Sequence, residues 1–289
     1  MEFLRPASWR EALEAKAQYP DAMPIAGGTD VMVELNFDSR RPGELLDLTR
    51  VPELAEWAPD GPELRIGAGV PYARLIDELG DQLPGLAMAS RTVGSPQIRN
   101  RGTLGGNLGS ASPAGDGHPP LLAGEADVEV ESVRGSRVIP AEEFFTGPKR
   151  NALAPDELIA AVRLSPATGP EQFCKVGTRN AMVIAVCTFA IALRPEIERV
   201  RTGIGSAAPT PIRAREAEDF LAEELDWAGR GALPDAVARR FGELVTQVAS
   251  PIDDVRGSAD YRRHALSVMA RRALGWAWHE HCSGRQECA

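Results

Sequence analysis

The sequence predicts an α+β fold with a boundary near residue 170. Strand and helix signals follow one another in mixed order, without the strict βαβ alternation of a parallel sheet. The stretch SPATGPE at residues 165–171 is the best linker candidate in the chain. With 289 residues, 43% of them hydrophobic and 25% charged, the chain has an ordinary globular composition and is long enough for two domains.

Local signals predict the elements before the boundary. SWREALEAKAQY predicts an amphipathic helix, because Ser8 and Glu11 have the spacing of a capping box. MPIAGGTDVMVEL predicts a strand that the Gly-Gly pair ends, with Thr29 or Asp30 as the cap of a following helix. ELLDLT and DELIAAVRL predict strands, PYARLIDELGDQL predicts a helix, and LAEWAPDGPELRIGAG predicts a hairpin around its Pro-Asp-Gly turn. ADVEVESVRGSRVIP predicts a second hairpin that turns at residues 134–136.

Beyond the linker, two strands precede a helical remainder. AMVIAVCTFAIAL and IERVRTGIGSAA predict a pair of strands. REAEDFLAEEL, DAVARRFGELVTQVA and YRRHALSVMARRALGWAWHEH predict helices, because their apolar residues recur at helical spacing.

Charge and cysteine usage restrict the classes of function. A net charge of −9 gives a surface that repels nucleic acids and anionic membranes. The sequence contains neither an apolar run of membrane-spanning length nor the apolar core of a signal peptide at its N-terminus. The four cysteines, Cys174, Cys187, Cys282 and Cys288, lack C-x-x-C spacing, which argues against a zinc or iron–sulfur site in this chain. A cytoplasmic protein with reduced thiols is predicted.

Two glycine segments, AGGTD (Ala26–Asp30) and TLGGN (Thr103–Asn107), are candidates for binding phosphate. Backbone N–H groups in glycine-rich turns can hold a pyrophosphate without a cation, since the missing Cβ lets a ligand approach the main chain. Asn107 could donate to a phosphate or a ring carbonyl, and Asp116 could accept from sugar or ribityl hydroxyls. From spacing alone, two tight turns without a ligand remain an equal alternative.

Four longer motifs resemble a known family. PIAGGTDVMVELN, IRNRGTLGGNLGSASPAGD, FCKVGTRNAMVIAV and APTPIRAREAEDFL follow one another in the chain. Together they resemble the FAD-binding medium subunit of the molybdenum hydroxylases, the family of xanthine dehydrogenase and carbon monoxide dehydrogenase, from about residue 1 to 280. The resemblance implies a two-lobed FAD-binding domain of the vanillyl-alcohol-oxidase (PCMH-like) type over residues 1–170, with lobes of about 1–56 and 57–170. A smaller α+β domain of the CO dehydrogenase flavoprotein type would occupy residues 171–289.

The resemblance also implies a set of FAD contacts. The two glycine segments would hold the pyrophosphate and part of the adenosine from opposite sides, and Asp116 would lie near the ribityl chain. Ile159 would pack on the adenine, and Lys175 would lie near the flavin ring, where its charge would stabilise the reduced flavin. Val93 stands where some relatives have an aromatic residue over the ring. The implied cofactor-binding residues are Ile25, Ala26, Gly27, Gly28, Thr29, Asp30, Thr103, Leu104, Gly105, Gly106, Asn107, Ser112, Asp116, Ile159 and Lys175.

The function that the resemblance implies is electron transfer. Electrons would pass from the [2Fe–2S] clusters of a small subunit through FAD to NAD+, oxygen or a quinone, while a molybdopterin-containing large subunit hydroxylates the substrate. A stand-alone FAD-dependent oxidoreductase and a non-enzymatic assembly module are the alternatives. The sequence presents no nucleophile–base pair, metal-ligand cluster or acid–base carboxylate couple, so it predicts no metal site and leaves the catalytic residues unassigned.

Several weaker signals are interpreted as structural. GIGSAA matches a dinucleotide-binding turn, but Pro209 and Pro211 follow where that fold needs a helix. HEHC at residues 279–282 is interpreted as a frayed helix end, and His118 as a loop residue. Three arginines near the motifs could screen phosphates or face a partner, with ordinary surface charge as the alternative: Arg99, Arg101 and Arg179.

Overall fold

A computed structural model describes residues 1–284 as a mixed assembly of helices and strands; Cys288 lies outside the described residues. The strands are β1 (Glu2–Leu4), β2 (Met23–Ile25), β3 (Glu44–Asp47), β4 (Trp57–Asp60), β5 (Glu63–Gly67), β6 (Asp127–Ser132), β7 (Gly135–Pro140), β8 (Phe145–Gly147), β9 (Arg150–Asn151), β10 (Leu158–Leu164), β11 (Glu171–Val176), β12 (Cys187–Arg194) and β13 (Arg199–Gly205). The α-helices are α1 (Trp9–Gln18), α2 (Val31–Asn36), α3 (Tyr72–Glu78), α4 (Pro84–Thr92), α5 (Pro96–Arg99), α6 (Leu104–Ser110), α7 (His118–Ala123), α8 (Ala141–Phe144), α9 (Arg215–Glu224), α10 (Asp235–Gln247) and α11 (Ala259–Ser283).

The strands form three main sheets along the chain. The first is parallel, with the order β1-β3-β2. The second is antiparallel, with the order β4-β5-β10-β6-β7, and the third is antiparallel, with the order β11-β12-β13. Strands β8 and β9 form a short ribbon. The architecture confirms the predicted α+β class, and none of the helices in residues 1–284 has the length and apolar character needed to span a bilayer.

Most predicted elements are confirmed, and helix α1 shows why local signals suffice. The Ser8 hydroxyl accepts a hydrogen bond from the Glu11 amide at 3.3 Å, and the Glu11 carboxylate accepts one from the Ala7 amide at 2.8 Å. The first bond occupies an amide donor that the first helical turn leaves without a partner, and the second ties the residue before the cap to the helix. In the second hairpin Ser132 pairs with Gly135, so the turn lies one residue earlier than predicted.

Two large hydrophobic cores meet at a layer of small residues. One core extends from Ala12 to Leu164, and the other extends from Cys187 to Trp278. Between them a small cluster of alanines with Phe173 brings helices α4 and α7 against the third sheet. The proposed division into units of 1–170 and 171–289 stays a prediction.

The glycines of GIGSAA serve this close packing. A Cβ added at Gly203 would lie 1.9 Å from the Pro119 carbonyl oxygen, so only glycine lets α7 approach β13 this closely. The segment forms the end of β13 and a turn, which confirms that it is not a dinucleotide-binding element.

Candidate cofactor cleft

A cleft of about 700 Å³ brings the two glycine segments together. It is lined by most of the predicted cofactor residues: Ala26, Gly27, Gly28, Thr29, Asp30, Thr103, Gly105, Gly106, Asn107, Ser112, Asp116 and Ile159. Three predicted residues do not line it. Ile25 lies directly behind Gly28, Leu104 is part of the first hydrophobic core, and Lys175 reaches the cleft residue Asp116 from β11.

The first segment is a tight turn with exposed backbone donors. A Cβ at Gly27 would lie 1.8 Å from the Arg101 carbonyl oxygen, so this glycine permits close contact with the chain just before the second segment. Gly28 has φ +76°, a left-handed conformation that favours glycine. Within the described residues, the amides of residues 27–30 donate to no protein acceptor. Asp30 is the N-cap residue of α2, but its side chain makes no capping bond; its carboxylate instead accepts a hydrogen bond from the Ser110 hydroxyl at 2.6 Å.

The second segment is the start of helix α6, and the interpretation of it as a loop was wrong. The Thr103 hydroxyl caps the helix by accepting from the Gly106 amide at 2.9 Å, and the Gly105 amide donates to the Ala68 carbonyl at 3.0 Å. These amides therefore have partners inside the protein. The segment presents to a ligand a side of the helix that no side chain covers. Gly106 and Gly109 are one turn apart, both are exposed, and both line the cleft.

Asp116 and Lys175 form a buried ion pair at the cleft wall. The Lys175 Nζ lies 2.5 Å from Asp116 Oδ2 and donates a second hydrogen bond to the Thr92 carbonyl at 3.2 Å. Each side chain is 8% exposed. Burial raises the pKa of Asp116, and the attraction of Lys175 opposes that rise without cancelling it. The lysine charge predicted to face the flavin ring is thus engaged by Asp116.

Three buried oxygen atoms beside the cleft have no hydrogen-bond partner within the described residues: Tyr72 OH, Asn107 Oδ1 and Asp116 Oδ1. Two of them lie close together, since a Cβ at Gly117 would be 3.0 Å from Asn107 Oδ1 and 3.2 Å from Tyr72 OH. Burial raises the pKa of Tyr72 well above its ordinary value, so the phenol stays a neutral donor. Buried polar atoms nearly always have partners, and a polyhydroxyl chain offers matching donors and acceptors. One hydroxyl and two acceptor oxygens of this kind fit the hydroxyl groups of the ribityl chain of FAD.

The sequence interpretation missed part of the lining. Tyr72, Gly109 and Ser110 lie on short helices whose orientation depends on distant contacts, and only the i, i+3 spacing of Gly106 and Gly109 signalled a ligand-facing side of α6. The loop between β11 and β12 adds an apolar wall, Met182–Ile184, of which Met182 and Ile184 are exposed. Val93 also lines the cleft.

The arginines near the motifs have different environments. Arg99 donates to the Val93 and Gly94 carbonyls at 3.1 and 3.2 Å, and Arg179 donates to the Met182 carbonyl, so both stabilise loop backbone. Arg101 is exposed and lines the cleft.

Two weaker interpretations were wrong. HEHC is not a frayed end, since α11 continues to Ser283 and the His281 ring packs 5.8 Å from Trp227 and 5.1 Å from Trp278. His118 is not a loop residue. It starts helix α7, is fully buried and places Nε2 3.1 Å from the Asn107 carbonyl oxygen.

His118 is expected to make the fold acid-sensitive. Burial lowers its pKa from 6.5 to about 4, so the folded state keeps the ring neutral while the unfolded chain protonates near pH 6.5. Stability is therefore fully present above pH 6.5 and is lost as the pH falls toward 4, by roughly 3 kcal/mol for this group. His118→Phe should reduce the loss of unfolding free energy between pH 7 and pH 4.5, as measured by denaturant unfolding at the two pH values. His279 is exposed, so His279→Phe is the control. An equal loss of unfolding free energy on acidification in both variants would contradict the role assigned to His118.

Comparisons with known proteins identify the family of the chain. Residues 1–167 match the family of the FAD binding domain in molybdopterin dehydrogenase, and residues 172–277 match the CO dehydrogenase flavoprotein C-terminal domain. The chain is 32% identical to the xanthine dehydrogenase FAD-binding subunit of Escherichia coli O157:H7, covering 94% of each chain. It is also 32% identical to the nicotine 6-hydroxylase medium subunit of Paenarthrobacter nicotinovorans, covering 95% of this chain and 96% of the relative.

A solved structure gives the same result for the fold. Carbon monoxide dehydrogenase from Hydrogenophaga pseudoflava contains a chain that superposes with a TM-score of 0.89 at 30% identity. The match covers 96% of this chain and 97% of that one. With both family models matched along the sequence, the chain belongs to the FAD-binding medium subunits of the molybdenum hydroxylases, a family of oxidoreductases, and its cofactor is FAD.

Proposed function

We propose that this chain is the electron-transfer subunit of a heterotrimeric molybdenum hydroxylase. A small subunit would deliver electrons from its [2Fe–2S] clusters, a molybdopterin-containing large subunit would hydroxylate the substrate, and NAD+, oxygen or a quinone would accept the electrons. The observation that carries the proposal is the cleft, in which free backbone amides, a buried ion pair and unpartnered oxygens match the parts of one flavin dinucleotide. The relatives named as medium or FAD-binding subunits, which this chain matches over nearly its whole length, support it.

FAD supplies the exchange of electrons between one-electron and two-electron partners. The residues of this chain bind and orient it. The amides of residues 27–30 would donate to the pyrophosphate, and the glycine side of α6 would let the dinucleotide lie against the helix. Asn107, Asp116 and Tyr72 would bind hydroxyls of the ribityl chain or ribose. The full set of binding residues predicted from the sequence is proposed on this basis, with Leu104 acting through packing.

The Lys175–Asp116 ion pair would lie behind the flavin site. Because Asp116 engages Lys175 directly, the charge that faces the cofactor is that of a pair rather than of a free ammonium group. Val93 and the wall at residues 182–184 would shield the ring end of the cleft from water.

The test is the metal and flavin content of the native assembly. The chain, tagged and purified from its native host, should carry FAD together with iron and molybdenum in a ratio that stays fixed through successive chromatographic steps. Anaerobic mixing of that assembly with a reductant of its molybdenum subunit should then bleach the flavin absorbance. FAD on a chain that carries neither metal would contradict the proposal and favour a self-contained flavoenzyme.

A further inference from the structure

A second groove, of about 490 Å³, runs between strand β11 and helix α11. Helix α11 contributes one of its faces: Tyr261, His264, Ala265, Val268, Met269, Arg272 and Trp276. Strand β11 contributes four successive residues, Phe173–Val176. Side chains of a strand alternate between its two faces, so a groove lined by successive residues follows the edge of the strand rather than one face of the sheet.

This edge has no neighbouring strand within the described residues. In the order β11-β12-β13, strand β11 is outermost, and within residues 1–284 no strand pairs with its outer side. Its six residues pair with β12 in a continuous register, so the edge is straight over Glu171–Val176. Unpaired edges of this kind bind extended segments by adding a strand to the sheet.

The helix side of the groove carries the residue types that dominate binding energies at interfaces. Tyr261 is 48% exposed and Trp276 is 52% exposed, and both line the groove. At 1.5 Å of rise per residue they lie roughly 22 Å apart along α11. This distance accommodates an extended segment of six or seven residues. Tyrosine, tryptophan and arginine are the commonest interface hot spots.

The charge of the groove indicates the charge of a segment that would bind there. The chain as a whole has a net charge of −9, yet the exposed α11 side chains in the groove include the basic residues Arg272 and His264, and no Asp or Glu of the described residues lines it. Two other arginines of α11 are paired, Arg262 with Asp254 and Arg263 with Asp260, whereas no described carboxylate pairs with Arg272 or with its neighbour Arg271. A carboxylate on the bound segment would supply the ion-pair partner that Arg272 lacks within the described residues.

We infer that the β11–α11 groove is a subunit-docking surface that receives an extended, acidic segment of a partner subunit as a fourth strand. The inference rests on the proposed function, because the partner is a subunit of the same molybdenum hydroxylase. The docked segment would pair with the edge of β11, pack on Tyr261 and Trp276, and bring a carboxylate to Arg272. It would lie one strand from the cofactor, because the Lys175 side chain extends from β11 to Asp116 in the cleft.

The test compares assemblies purified from the native host through a tag on this chain. Arg272→Glu combined with Trp276→Ala reverses the charge and removes one aromatic anchor, and both side chains are exposed, so the fold and the FAD content should be unchanged. Iron and molybdenum retained per FAD should fall by about tenfold or more. Arg263→Glu is the matched control, since it reverses an exposed charge of the same helix outside the groove, and it should retain both metals.

Three outcomes would overturn the inference. Full metal retention by the Arg272→Glu/Trp276→Ala variant, with a wild-type assembly that carries both metals, overturns the docking surface and leaves the proposed function intact. A wild-type chain that brings down neither metal overturns the proposed function, and the docking surface with it. A concentration-dependent dimer of the isolated chain that the double substitution abolishes assigns the edge to a second copy instead.

Discussion

Gly109→Leu is expected to leave the chain folded and to lower its affinity for FAD by roughly 100-fold, the effect of a steric penalty near 3 kcal/mol. Gly109 is helical, exposed and lines the cleft, and the nearest atom to an added Cβ is Ile159 Cδ1 at 4.0 Å. The Cβ of a leucine therefore meets no protein atom, and the side chain would project into the space proposed for the dinucleotide. Leucine also favours a helix over glycine by about 1 kcal/mol, so the apoprotein should be equally or more stable.

The neighbouring glycines would give a less clear result. A Cβ at Gly105 would lie 2.5 Å from the Ala68 Cβ, so a substitution there disturbs the fold as well as the cleft. At Gly106 the Thr103 hydroxyl is 3.0 Å away, which strains the helix cap. Gly275→Leu is the matched control, because Gly275 lies within α11, has no atom within 4 Å of an added Cβ and lines neither the cleft nor the groove.

Titration of apoprotein with FAD, followed by quenching of flavin fluorescence, measures the effect. Urea unfolding of the apoprotein reports whether the fold is kept. Wild-type affinity in a folded Gly109→Leu variant would show that the dinucleotide does not lie against α6, and the glycine side of that helix would lose its proposed role.

Elements with a local cause were predictable from the sequence. Strand β6 shows strict alternation of buried and half-buried residues, and the capping box of α1 is contained within four positions. The hairpins followed from their turns for the same reason. In each case the energetic preference is set by neighbours along the chain, which a single sequence displays.

The start of α6 was not predictable in this way. Three glycines disfavour a helix by intrinsic propensity, and the helix forms there because Gly105 allows it to pack on Ala68, 37 positions earlier in the chain. Helix α7 was missed because His118 precedes two prolines, although proline is well tolerated in a first helical turn. Propensity is a weak signal where contacts between distant segments decide.

The ion pair between Asp116 and Lys175 was likewise not predictable from the sequence. The resemblance placed Asp116 and Lys175 near the cofactor one by one, but their mutual contact joins positions 59 apart in the chain. Its consequence for stability is therefore visible only in the structure.

Lys175→Met is expected to destabilise the apoprotein by roughly 3–5 kcal/mol at pH 8, the usual cost of leaving one partner of a buried ion pair alone. Asp116 is buried and would lose its counter-charge, and burial already raises its pKa. A carboxyl whose folded pKa lies above its unfolded value contributes most at low pH, and this contribution is lost as the pH rises through the folded pKa. The variant should therefore regain part of its stability at pH 5.

The double variant Asp116→Asn/Lys175→Met separates the two roles of the pair. With both charges removed, its free energy of unfolding should exceed that of Lys175→Met at pH 8, and the recovery at pH 5 should disappear. Denaturant unfolding of the wild type, both single variants and the double variant at the two pH values forms the cycle. Strictly additive losses would contradict a coupled pair. FAD titration of the same proteins then tests the ligand contact, because a double variant that is stable but binds FAD weakly would show that the pair contributes to cofactor binding as well as to the fold.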